Sequence, residues 1–118
     1  MPKIHAIDLD GTTAMYSGWK GKKTPIGAPI PKMVEKIKGF LAAGDKVVIF
    51  TARAKTSTDV QEVKKWLKDN DLPDFEVTNV KRPEFSDIID DKAIEVVANT
   101  GETARDLRVE PLDIGRMV

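Results

Sequence analysis

Two short β-rich apolar runs, Ile4 to Leu9 and Val47 to Phe50, flank a stretch with helical periodicity, and this alternation most narrows the folds open to the chain. The first run stops at Asp10-Gly11 and the second at Thr51. Between them Ile30, Met33, Val34, Ile37, Phe40 and Leu41 recur at helical spacing, with Pro31 in the first helical position and Gly44 just past the end. Strand, helix, strand implies a parallel pair, because parallel strands need a long crossover that a tight turn cannot supply. A second crossover follows: Thr58 with Gln61 fits a capping box, and Val60, Val63, Trp66 and Leu67 mark one face of a helix that reaches about Asn70 before Pro73. Phe75 to Val77 reads as a short third strand, and Ile88-Ile89, inside Ser86 to Asp90, as a fourth. The expectation is an α/β fold, a three-layer Rossmann-like parallel sheet with helices on both faces and right-handed crossovers.

The length of 118 residues fits one domain. Residues 1–98 carry the periodic segments, and 99–118 form a C-terminal extension with neither period. Residues 13–29 hold five glycines and prolines together with Tyr16 and Trp19, too broken for a helix, and read as a β-hairpin flap after the first strand. No cysteine is present, which excludes disulfides, thiolate metal ligands and cysteine nucleophiles. Nineteen basic side chains balance nineteen acidic ones, so no global field gathers nucleic acid or anionic lipid, and any such contact is local. Apolar runs fall far short of the ~20 residues of a membrane span, and Met-Pro-Lys-Ile does not open a signal peptide. The expected compartment is cytoplasmic, with no membrane partner.

In a parallel sheet every strand delivers its carboxyl end to one edge, and ligands bind in the crevice there. The first strand brings Asp8, Asp10, Gly11 and Thr12 to that edge, and the second brings Thr51, Ala52 and Arg53. Lys81 and Arg82 follow the third strand, and Asp90 and Asp91 end the fourth. On an extended chain, side chains two apart point the same way, so Asp8 and Asp10 both face the crevice while Gly11 lets the chain turn behind them. His5 lies three residues before Asp8, roughly 10 Å along a strand, and is not expected to take part.

The string DLDGT at 8–12, Thr51 closing VVIFTAR, Lys81, and IIDD at 88–91 together resemble the haloacid dehalogenase superfamily of phosphohydrolases, over roughly residues 3–94. The resemblance implies a Mg²⁺-dependent phosphatase that cleaves a phosphate monoester through an aspartyl-phosphate. Carried over by position, Asp8 is the nucleophile and Asp10 the acid that protonates the leaving alcohol and later the base that activates water. Thr51 holds a phosphoryl oxygen and Lys81 neutralises charge, with Arg82 as the other cation available at that strand end. Asp8, the backbone at Asp10, and Asp90 or Asp91 are the implied Mg²⁺ ligands. Elementary chemistry agrees: a carboxylate attacking a dianion needs positive charge on the phosphoryl oxygens, and Mg²⁺ takes oxygen ligands. As an acid near neutrality, Asp10 must keep its proton, which clustered carboxylates and partial burial favour.

No cap domain fits between the motifs, so the resemblance implies an open site that admits bulky phosphorylated substrates or is closed by a second copy of the chain. A phosphorylated small molecule, a nucleotide or a nucleic-acid 3′-phosphate end is the expected partner, given Tyr16, Trp19, Lys20, Lys22 and Lys23 in the flap and Gly11, Thr12, Ala52, Arg53 and Arg82 around the phosphate. Other readings stay open. Asp90 and Asp91 also suit the cap of a helix over Lys92 to Val97. An inactive phosphate- or metal-binding module uses the same residues without turnover. A receiver-like phosphoaspartate domain uses similar groups in another order along the chain.

Overall fold

The computed structural model describes residues 2–21 and 24–103. The order of elements is β1 (Ile4–Ile7), α1 (Pro31–Ala42), β2 (Lys46–Phe50), α2 (Ser57–Asp69), β3 (Glu76–Thr78) and β4 (Asp87–Ile89). All pairings are parallel, in the order β3-β2-β1-β4. The protein is therefore an α/β fold with a four-stranded parallel sheet, and residues 104–118 of the expected extension, like Lys22 and Lys23, lie outside the described residues.

Local sequence explains the helix ends. Pro31 opens α1, where its missing N–H costs nothing, and the helix stops before Gly44, whose φ of +86° is left-handed. The start of α2 lies two residues ahead of the expected one. Thr56 is extended and accepts from the Asp59 N–H at 3.1 Å, while the Asp59 carboxylate accepts from the Thr56 N–H at 3.2 Å. Thr58 with Gln61 matches the same pattern on paper, but Asp59 closes the reciprocal pair two residues earlier, with Thr56.

Register decides where the core sits. Ile7, Ile49 and Val77 are directly paired across β1, β2 and β3, and all three belong to one buried cluster. Ile37 of α1 and Val63, Trp66 and Leu67 of α2 complete it. Each such side chain, fully buried, contributes about 1.5–3 kcal/mol of transfer free energy. The next row, Ala6 and Val48, points to the other face and lies outside that cluster although both residues are buried. Both described helices thus cover one face of the sheet.

Among the described residues, the three-layer expectation is met on one face of the sheet only. The steps from β1 to β2 and from β2 to β3 run the same way across the sheet, and right-handed crossovers then place both helices on one side. The connection from β3 to β4 forms no helix, and on that far side Phe85 meets the Phe50 ring edge-on at 5.8 Å. Residues 92–97 also form no helix. The 13–29 segment is closed at its base by an antiparallel bridge between Ala14 and Pro29, with the Met15 N–H donating to Ala28 O, and among the described residues no hairpin strands extend beyond it. Gly27 is required there because a Cβ would stand 2.2 Å from the Met15 carbonyl oxygen. No described helix is long and apolar enough to cross a membrane.

Candidate active site

The carboxyl ends of β1, β2 and β4 meet at a cavity of about 640 Å³ whose floor includes Asp8, Asp10, Thr51, Arg53 and Asp90. Ladder bonds carry the chain into it: the Asp8 N–H donates to Ile89 O and the Thr51 N–H to Thr78 O, both at 2.9 Å. Tyr16 and Trp19 stand at its rim with much of their rings in solvent, and Ile26 and Val63 supply apolar wall. Ala52 also lines it.

Asp8, Asp90 and Asp91 each place a carboxylate oxygen within 4.8 Å of the others. Burial first, and then the charge of Asp90, push the Asp8 carboxyl up to about 6. Such crowding of hard oxygen donors is what a small divalent cation relieves, and the donor set fits Mg²⁺ without nitrogen or sulfur. Gly11 and Thr12, expected at the phosphate, serve this cluster instead. Gly11 has φ +84°, and a Cβ on it would lie 2.7 Å from the Asp91 carboxylate. Thr12 Oγ1 donates to Asp91 Oδ1 at 3.3 Å and accepts from the Asp91 N–H at 3.1 Å, locking the loop after β1 to the loop after β4. Neither residue lines the cavity. Asp90 caps its own turn by accepting from the Lys92 N–H at 2.7 Å.

Asp10 stands apart from the three acids. Arg53 Nε donates to Asp10 Oδ2 at 2.7 Å and Arg53 Nη2 to Asp10 Oδ1 at 2.9 Å, a two-pronged ion pair that engages both carboxylate oxygens. Thr51 is buried, and its Oγ1 accepts from the Arg53 N–H at 3.1 Å, which leaves the hydroxyl proton free to donate into the cavity.

Neither expected cation reaches this cavity. Lys81 is exposed and absent from its lining. Arg82 is drawn away: Nη1 and Nη2 donate to the Glu76 carboxylate, Nε lies 2.7 Å from Glu84 Oε1 without hydrogen-bond alignment, and the guanidinium sits 5.1 Å from the Phe85 ring centre. The positive side chains that do line the cavity are Arg53, Lys55 and Lys92. Lys55 and Lys92 were not singled out from the sequence. Their adjacency to the Thr51 and Asp91 loops was the available signal. Asp59 and Glu62, on the first turns of α2, put negative charge on the cavity wall. Comparison with family models, with curated proteins and with solved structures gave no match.

Proposed function

We propose that the protein is a Mg²⁺-dependent phosphatase acting on a phosphate monoester, with Asp8 as the nucleophile. The observation that carries this reading is the convergence of Asp8, Asp10, Thr51 and Asp90 on one cavity at the carboxyl edge of a parallel sheet. It accords with the resemblance of DLDGT, Thr51 and IIDD to the haloacid dehalogenase superfamily.

Asp8, Asp90 and Asp91 would hold the cation, which when bound lowers the charge barrier between a carboxylate and a phosphate dianion. Asp8 Oδ attacks phosphorus, the bond to the leaving oxygen breaks, and an aspartyl-phosphate forms. Asp10 gives its proton to the leaving alcohol and then takes one from the water that hydrolyses the acyl phosphate. The Thr51 hydroxyl donates to a phosphoryl oxygen. Lys55 or Lys92 replaces Lys81 as the neutralising cation, since both line the cavity. Tyr16 and Trp19 at the rim suit a substrate whose leaving group has a flat face, such as a nucleoside, in a cytoplasmic setting.

The test is hydrolysis of p-nitrophenyl phosphate, nucleoside monophosphates and a 3′-phosphorylated oligonucleotide, each with Mg²⁺ and with EDTA. Turnover that needs Mg²⁺ and vanishes in Asp8→Asn is expected. Activity undiminished in EDTA or in Asp8→Asn sinks the reading. A second reading, binding of phosphate and metal without turnover, is favoured by the Arg53 pairing that occupies both Asp10 oxygens, and predicts Mg²⁺-dependent phosphate binding with no product.

A further inference from the structure

Arg53 makes more contacts than a residue that only greets substrate would require. Its side chain is largely buried and its guanidinium joins two parts of the molecule that share no secondary structure. On one side, Nε and Nη2 grip both oxygens of Asp10. On the other, Nη1 donates to Thr24 O at 2.6 Å, and the guanidinium carbon lies 5.1 Å from the centre of the Trp19 ring. Trp19 and Thr24 both belong to the 13–29 segment. Thr24 is itself buried and orders that segment, accepting from the Lys20 N–H and donating to Gly21 O, each at 2.7 Å. A separate tether, Trp66 Nε1 to Gly27 O at 2.8 Å, holds the end of the segment nearest α1. Ile26 packs against the core, and Arg53 ties the part around Trp19 and Thr24 to the body.

We propose that Arg53 is a positioning residue that fixes the Asp10 carboxylate and the 13–29 segment as one unit, so that the rim of the cavity and its acid–base group are set together. The assignment of acid–base work to Asp10 rests on the phosphatase reading; the coupling of Asp10 to the segment does not. The planar fork is what makes the unit, because a guanidinium meets a carboxylate with two parallel bonds and still presents a third N–H and a flat face. A lysine at 53 keeps the charge and loses the fork, the bond to Thr24 and the stacking on Trp19.

Full-length Arg53→Lys is therefore assayed with p-nitrophenyl phosphate and Mg²⁺, and amide hydrogen exchange is followed at Lys20. We expect kcat to fall roughly 10- to 100-fold with KM within about threefold of wild type, the pattern of a misplaced catalytic group. Exchange at Lys20 should rise at least tenfold and Trp19 fluorescence should become easier to quench with acrylamide, judged against Trp19→Phe. Millimolar guanidinium should restore part of kcat in Arg53→Ala. An Arg53→Lys protein with raised KM and unchanged kcat would make Arg53 a substrate contact and overturn the proposal. Asp10→Asn separates the coupling from the chemistry: it should also speed exchange at Lys20, whether or not the wild-type protein hydrolyses anything. Unchanged exchange there overturns the coupling, while an inert wild-type protein counts against the phosphatase reading alone.

Discussion

The two ends of the sheet carry two acidic clusters built from the same strands, and they are settled in opposite ways. At the amino ends, His5 of β1 lies between Asp45, just before β2, and Asp87 of β4, with Nε2 2.9 Å from one carboxylate and Nδ1 2.8 Å from the other. The ring is buried and stacks on Phe40 of α1 at 3.8 Å. Burial alone would hold its pKa down, but the hydrogen bonds and charges of Asp45 and Asp87 outweigh that and raise it. Asp45 is lowered in turn, chiefly by its bond to His5. At the carboxyl ends, Asp8, Asp90 and Asp91 crowd together in no ion pair among the described residues, and burial and the charge of Asp90 push Asp8 up. One cluster supplies its own counter-charge and is part of the fold. The other crowds three carboxyl groups whose charges oppose one another.

The largest effect should come from removing one of these opposed charges. Asp8→Asn is expected to lower turnover by three orders of magnitude or more, as loss of a nucleophile does. The same change should raise the melting temperature without added metal at neutral pH, since it deletes a charge that burial and Asp90 both disfavour. A variant less stable than wild type under those conditions would mean that the three acids are compensated after all. At the opposite end the sign reverses. His5→Gln removes the ring that bridges two carboxylates, one of them half exposed, and should cost about 2 kcal/mol in urea unfolding while leaving kcat per folded molecule unchanged.

The carboxyl-end acids were legible because strand direction alone sends the ends of β1 and β4, and so Asp8, Asp10 and the IIDD acids, to the same edge of the sheet. The amino-end cluster was not. His5 looked idle, since its partners are 40 and 82 residues away and only the register of β1 with β2 and β4 brings them in. Loop cations failed for a related reason. Strand order says at which edge Lys81 and Arg82 emerge, but a long side chain in a loop goes to the nearest good partner, and Glu76 with Glu84 claimed Arg82. That both described helices share one face was also beyond reach, because it follows from strand order, which local sequence does not show.

A smaller effect tests the opposed charges directly. Millimolar Mg²⁺ should raise the melting temperature at pH 7.5 and EDTA should reverse it, a stabilisation of about 1.4 kcal/mol if the ion is near tenfold over its Kd. The shift should shrink at pH 5, where Asp8, titrating at about 6, holds its proton, and should be absent in Asp8→Asn. An equal Mg²⁺ effect in that variant would move the cation away from Asp8.

The smallest expected effect separates the clusters by pH. His5 titrates above 6.5 in the folded protein, so its contribution is complete below pH 6.5 and is lost as pH rises through the higher folded value. Asp8 is also raised, so its cost to the fold is absent below pH 3.8 and has fully appeared above about 6. Unfolding free energy measured from pH 4 to 9 without metal should therefore fall in two stages, the first missing in Asp8→Asn and the second in His5→Gln. The upper stage is small because Asp87 is half open to water and neutral His5 can still donate to one carboxylate, keeping one of its two bonds. Should His5→Gln keep the upper stage, His5 would not be the group that titrates there, and the contrast between a self-neutralised end and an open one would have to rest on Asp8 alone.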